Sequence, residues 1–342
     1  PDQEIRRVLL AVDPVADTAR EALEWGADLL LTHHPLYLRG VTSVAATTAK
    51  GRLVHDLIRG GCALFNAHTN ADAVAGGVAE ALARAVGLAD SAPIQPLPTA
   101  PLDALVTYVP GASAAAVVDA VSAAGAGSIG DYEKCAWTTQ GTGQFLPGPG
   151  ADPAIGSVGD LTRVAETRIE MVLPRSRRGV VLAALRASHP YEEPAFSFIE
   201  LGSTASESGT GRIGSLAAPV PLAQFAQAVA DAVPATAQGV RVSGDLAAEV
   251  RTVAVCGGSG GSLLDVVRER GADVFVTADL RHHPASESRE ESHGGPPFLV
   301  DLSHWASEWP WLPVVAKDLA ADVAALGATV ETRVSRRVTD PW

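Results

Sequence analysis

Two stretches of the chain repeat one pattern of apolar and polar positions. Residues 7–35 read RVLLAVDPVADTAREALEWGADLLLTHHP, and residues 251–284 read RTVAVCGGSGGSLLDVVRERGADVFVTADLRHHP. Each opens on a β-branched apolar run, Val8–Val12 or Val253–Val255. Each continues through an amphipathic helical stretch that stops at Gly-Ala-Asp. Each then resumes as an apolar strand, Leu-Leu-Leu-Thr or Val-Phe-Val-Thr, and ends in His-His-Pro. Val8 to Gly26 and Val253 to Gly271 are both 18 residues apart. Strand, helix and strand joined by short connections predict a βαβ unit with parallel strands. After a further helix each copy has a third strand, in CALFNAHTNAD (62–72) and in PFLVDLSHWASE (297–308).

The middle of the chain does not repeat. SAPIQPLPTAP (91–101) reads as a Pro/Ala-rich linker. It precedes a strand (102–109), a helix (112–124), strands near 134–146 and 164–173, a helix (176–188) and a strand (195–201). The order βαββαβ is the ferredoxin-like pattern. GSTASESGTG (202–211) reads as a second, polar linker. The fold class expected is therefore α/β: a duplicated three-layer α/β domain, with two similar βαβ-containing halves, interrupted by a ferredoxin-like α+β insert. Its divisions are 1–95 for the first half, 102–202 for the insert and 206–342 for the second half.

Composition narrows the function classes. A net charge of −13 and the lack of a basic patch argue against a nucleic-acid partner. The run RSRR (175–178) reads as a solvated helix start. No segment reaches the roughly 20 apolar residues that span a bilayer. The Ala-rich stretch 112–127 is shorter and carries Asp119. No signal peptide is visible; the chain begins at Pro1 rather than Met, which leaves room for an upstream segment. Cys62, Cys135 and Cys256 are odd in number and far apart, without a CxxC spacing. That usage fits a reducing cytoplasm.

The candidate chemistry lies where apolar strands end. In open α/β sheets, sites form outside the carboxyl ends of the strands. Four such ends carry His33/His34, His68 to Asp72, His282/His283, and His304 to Glu308. Adjacent histidines point to opposite faces within a strand, but at a strand end both can converge. Histidine with carboxylate is the mixed ligand set of Zn, Fe, Mn or Co. His304 and Glu308 are four apart, so a helical turn puts both on one side. Alone, that spacing reads as an exposed pair on a helix. Asp72 suits either a metal bridge or a helix cap, with His68 as a donor that orients it. Gly76 and Gly77 allow close packing there or simply break the helix. CGGSGGS (256–262) reads as a tight turn with some capacity for an anion. SHPYEEPAF (188–196) is either a rigid exposed turn or a rim over the metal site.

Taken together, LLLTHHPL, NAHTNADA, GGVAEALA, GTGRIG, VAVCGGSGGSL, GADVFVTADLRHH and SHWASE resemble the Nif-three-like metalloproteins, also called GTP cyclohydrolase I type 2-like. VPGASAAAVVDAVSAAGAGSIGDYEKCAW, GTGQF and HPYEEPA resemble the insert of the longer members, itself similar to trimeric signalling-protein and divalent-cation-tolerance folds. The resemblance implies a dinuclear centre between two similar α/β domains, with two divalent ions per chain held by His33, His34, Asp72, His304 and Glu308. It implies a homo-oligomer, usually a hexameric ring with the sites facing an inner cavity. It implies a metal-dependent hydrolase acting on a small molecule or nucleotide, GTP by the family's name. The alternative is a non-enzymatic metal-delivery or regulatory protein. Members usually begin with a helix and a segment like DNxGLQVG, and this sequence has neither.

Overall fold

The computed structural model describes residues 2–342. The chain forms two compact units. One comprises Pro1–Leu97 and Ser206–Trp342; the other is Pro98–Ala205.

The first unit is built on two sheets. One is all parallel, in the order Glu331–Val334, Arg7–Ala11, Leu29–Thr32, Ala63–Asn66. Its two central strands, Arg7–Ala11 and Leu29–Thr32, are apolar on both sides because both faces are covered. Leu9, Ala11 and Leu30 pack against Ala19, Ala22, Leu53 and Leu57, from the helices Ala16–Trp25 and Ala49–Arg59. Val8, Leu10 and Leu31 pack on the other side against Trp305, Trp311 and Leu312. The second sheet has six strands. Its parallel centre is Glu249–Ser259, Val274–Ala278 and Phe298–Leu302, extended by antiparallel neighbours at each edge. Val253, Val255, Val274 and Val276 bury one face against Leu82, Phe225 and Val229; Ala254 and Phe275 bury the other against Leu264 and Val267.

The two Gly-Ala-Asp segments do the same work in both sheets. Gly26 and Gly271 take the left-handed conformation, φ 72° and 70°, that ends a helix cheaply only for glycine. Asp28 then accepts from the backbone N–H groups of Arg6 and Arg7, both at 2.8 Å. Asp273 accepts from those of Arg251 and Thr252 at 2.9 and 2.7 Å. Each carboxylate thus satisfies amides at the start of the first strand that would otherwise need water.

Three local expectations change. The segments read as linkers hold paired strands, Gln95–Pro98 beside Ala205–Thr210. Gly209 permits the approach, since a Cβ there would stand 2.4 Å from the Gln95 carbonyl oxygen. CGGSGGS is only partly a turn: the strand runs through its first four residues to Ser259, and a 3-10 turn, Gly261–Leu263, leads into the helix Leu264–Glu269. RSRR is not merely solvated, because Arg175 and Arg178 bond the buried Asp103 carboxylate at 3.1 and 2.8 Å.

The second unit carries strands Leu102–Pro110, Trp137–Phe145, Thr162–Pro174 and Phe196–Glu200, with helices Ala114–Ala123 and Arg178–Ser188. The antiparallel sheet runs, by first residue, in the order 137, 162, 102, 196. Leu105, Val109, Ile169, Met171 and Leu173 face Val117, Val121, Val181 and Leu185 on the helices. Among the described residues, no helix is long and apolar enough to cross a membrane, and the three cysteines are free.

Candidate metal centre

The parallel ladder carries the first histidines to their place. His33 and His34 donate backbone N–H groups to the carbonyls of Ala11 and Val12 at 3.2 and 2.9 Å, one step beyond the end of Leu29–Thr32. There the chain turns, and the two rings lie 5.1 Å apart, tilted by 46°. His68 ends the neighbouring strand's loop, its ring 5.1 Å from His33 and 5.5 Å from His34. From the other sheet, Phe298–Leu302 leads into the helix His304–Glu308, started by Ser303, whose hydroxyl accepts from the Ala306 N–H at 3.3 Å.

Glu308 is the centre of the cluster, only 3% exposed. Its Oε1 lies 3.0 Å from His304 Nε2 and 3.4 Å from His33 Nε2, and its Oε2 lies 3.1 Å from His34 Nε2. Asp72 Oδ1 is 3.5 Å from the same His33 nitrogen. Each imidazole is held from behind. His33 Nδ1 meets the Ala67 carbonyl at 2.9 Å, His34 Nδ1 meets Asp13 at 2.7 Å, and His304 Nδ1 meets Asp279 at 2.7 Å. A ring that donates from Nδ1 to an acceptor presents the lone pair of Nε2 on the opposite side.

The electrostatics are those of a site that wants positive charge. Burial opposes charging His34, but Asp13 and Glu308 outweigh it and raise the imidazole to about 10. Burial likewise opposes His304, and Glu308 with Asp279 raises it to about 9. Burial alone would push Glu308 up; the three histidines hold it well below the ordinary glutamate range. Asp72 is raised, chiefly by burial, and His68 is lowered, first by burial and then by His33 and His34.

His33 Nε2 and Glu308 Oε2 are buried atoms without a hydrogen-bond partner. Unsatisfied buried polar atoms are rare and costly. His33 Nε2 faces Glu308 Oε1 at 3.4 Å and Asp72 Oδ1 at 3.5 Å, and Glu308 Oε2 faces His34 Nε2 at 3.1 Å. Two donor sets, His33/His34/His68 and His34/His304/Glu308, each bring their atoms within 4.8 Å of one another, and His34 belongs to both. Separations of that order are what ligands about 2.0–2.2 Å from one ion present. Nitrogen and carboxylate donors fit Zn, Fe, Mn or Co.

The structure gathers His33, His34, Asp72, His304 and Glu308 at one place. His68 joins them as a facing donor, not as the residue that orients Asp72. Asp72 does not cap a helix; it lies inside Thr69–Ala73, which His68 precedes. Gly77 does serve close packing, since a Cβ there would lie 2.0 Å from the Ala71 carbonyl oxygen. The glycines of CGGSGGS make room as well: at Gly258, φ 65°, a Cβ would lie 2.5 Å from Glu308 Oε1 and 3.0 Å from His304 Nε2. His282 and His283 are exposed at the start of the helix His282–Glu291, three residues past the position that points inward. That position is Asp279, which with Asp13 went unnoticed in the sequence. Both lie just after an apolar strand, the same signal that marked the histidines.

The chain matches the family described as Duf34/NIF3 (NGG1p interacting factor 3) over residues 1–341. A Mycobacterium tuberculosis relative named GTP cyclohydrolase 1 type 2 homolog is 51% identical, over 100% of this chain and 88% of its own length. A solved Bacillus cereus protein related to NIF3 is 34% identical with a TM-score of 0.77, over 99% of this chain and 89% of that one. A solved Staphylococcus aureus protein is 27% identical with a TM-score of 0.83, over 100% of this chain and 89% of that one. With the match running from end to end, the chain belongs to the Duf34/NIF3 family.

Proposed function

We propose that the cluster holds a pair of divalent metal ions and that the chain is a metal-dependent hydrolase. His33, His34, Asp72, His304 and Glu308 are the ligands, with His68 as a sixth donor. The observation that carries the reading is Glu308. A single buried carboxylate faces three imidazole nitrogens drawn from two neighbouring donor sets, Oε1 toward His304 and His33 and Oε2 toward His34. Without a cation the carboxylate draws protons onto His34 and His304; with ions bound, the same nitrogens and oxygens serve as their ligands. The ions would supply activation of water and polarisation of the bond under attack.

The protein's part is positioning. Asp13, Asp279 and the Ala67 carbonyl fix the rotation and tautomer of three rings. Gly258 leaves the space that Glu308 and His304 occupy. His34, His304 and Asp72 keep 21%, 32% and 32% side-chain exposure, so a substrate can reach the centre from their side. The names of the relatives point to a guanine nucleotide as the substrate class. With a net charge of −13, the ions themselves are the cations on which a triphosphate would dock.

The agreement of the two Gly-Ala-Asp segments supports a duplicated α/β domain. The strand order of the second unit supports a ferredoxin-like insert. The test is metal content by mass spectrometry on untagged, chelator-free protein, followed by GTP turnover on the same sample. About two ions per chain with turnover supports the hydrolase. The same metal without turnover keeps the centre and moves the function to hydrolysis of another substrate or to metal delivery or regulation, which the partly exposed ligands also suit. No metal after reconstitution overturns the centre.

A further inference from the structure

The second unit contains a cavity of its own, about 600 Å³ in volume. That is ample for a small organic molecule. It lies on the sheet face opposite the two helices. Side chains alternate along a strand; Ile169 and Met171 face the helices, so Glu166 and Arg168 face the cavity. Tyr108 pairs with Arg168, and Gly141 with Glu166, so they share that face. The loop after Phe145 supplies one wall, and the HPYEEP turn supplies another. That turn is anchored: His189 Nε2 meets the Tyr108 carbonyl at 2.9 Å, and His189 Nδ1 accepts from the Tyr191 N–H at 3.0 Å.

The walls are mostly apolar, with one buried carboxylate among them. Glu166 is 8% exposed. Its Oε1 accepts from the Tyr191 hydroxyl at 2.9 Å. Burial, with help from Glu166, pushes that hydroxyl up to about 12, so it remains a donor. Among the described residues Glu166 Oε2 has no hydrogen-bond partner. It lies over Gly143, where a Cβ would meet it at 1.9 Å. A carboxylate has about four acceptor positions, and the Tyr191 hydroxyl occupies one of them. Arg168 makes no bond to Glu166: its Nη2 pairs with Glu170 at 2.8 Å, and its buried Nε has no partner. Glu192 and Glu193 add negative charge at the cavity wall.

We propose that this cavity binds a small organic cation, an amine or guanidinium on an apolar body. The charged group bonds Glu166 Oε2, and the body packs on Phe145 and Tyr191, whose ring centroids lie 5.9 Å apart. The site is independent of the metal centre and of the reaction proposed for it.

The test is calorimetric titration of the full chain with 2-phenylethylamine, 2-phenylethanol and 3-phenylpropanoate, which share a body and differ in charge. The amine should bind about ten-fold tighter than the alcohol or more, as a charge-assisted hydrogen bond would give, and the acid weakest. Glu166→Gln, which keeps an acceptor for Tyr191, should abolish the preference for the amine. Gly141→Val should abolish binding of all three. A Cβ at Gly141 meets nothing within 4 Å, so the branched side chain has room to enter the cavity beside Glu166, its cross-strand partner. Equal affinity for amine and alcohol overturns the proposal. So does amine binding that survives Gly141→Val, or no binding of any probe to the unaltered chain at millimolar concentration.

Discussion

Glu308 Oε1 stands 3.0 Å from His304 Nε2, one turn along the same short helix, while its Oε2 stands 3.1 Å from His34, which arrives from the other sheet. The carboxylate joins the two halves of the cluster, so its loss should differ in kind from the loss of a terminal donor. Glu308→Ala should lose both ions with the fold retained. His304→Ala should keep an ion on His33, His34 and His68. Metal content per chain and circular dichroism read this directly. Full occupancy in Glu308→Ala and His34→Ala would remove the ligand assignment.

Asp13 and Asp279 touch the imidazoles from behind and are not donors to the cluster. Asp13→Asn and Asp279→Asn should weaken metal binding by about 10–100-fold, the cost typical of losing the partner that orients a ligating histidine. Competition with a chromogenic chelator measures it. Unchanged affinity in both variants would mean that the rings are positioned by packing alone.

Gly258 combines a left-handed backbone with direct contact on the site. Gly258→Ala should cost about 1–2 kcal/mol from backbone strain and should also lower metal affinity, because its methyl displaces Glu308 and His304. A melting curve and a metal titration on one sample separate the two effects. Lost stability with normal affinity would show that the loop yields instead of the ligands.

Acid should weaken the second unit through Asp103. The Arg178 guanidinium, with Arg175 beside it, overcomes burial and holds this carboxyl below the ordinary aspartate range. A depressed folded value contributes stability above the unfolded value, about pH 4, and that stability is lost as the pH falls through the folded value. Melting of the native chain should therefore drop below about pH 4, while Asp103→Asn should start lower at neutral pH and fall less. Parallel curves for the two proteins would exclude this carboxyl as a source of acid lability.

The family resemblance implies a hexameric ring. Multi-angle light scattering should give a homo-oligomer, and a monomer across a wide concentration range would count against it.

The sequence by itself determined where the candidate chemistry sits along the chain. An apolar run followed by histidine or carboxylate is a local signal, and strand ends are where such residues stay accessible. It marked His33, His34, His68, Asp72, His304 and Glu308 for that reason. It also determined the helix stops at Gly26 and Gly271, since only the local backbone is involved. It misplaced the second His-His-Pro, because matching letters do not fix which residue follows the last ladder bond; Asp279 does, and His282 and His283 begin an exposed helix. Only the tertiary structure decided what meets what. Glu308 faces His34 across 274 positions of sequence, Asp103 captures Arg175 and Arg178, and two segments read as linkers pair as strands. These are contacts between distant segments, set by how sheets stack and strands pair, and no local pattern of polarity encodes them.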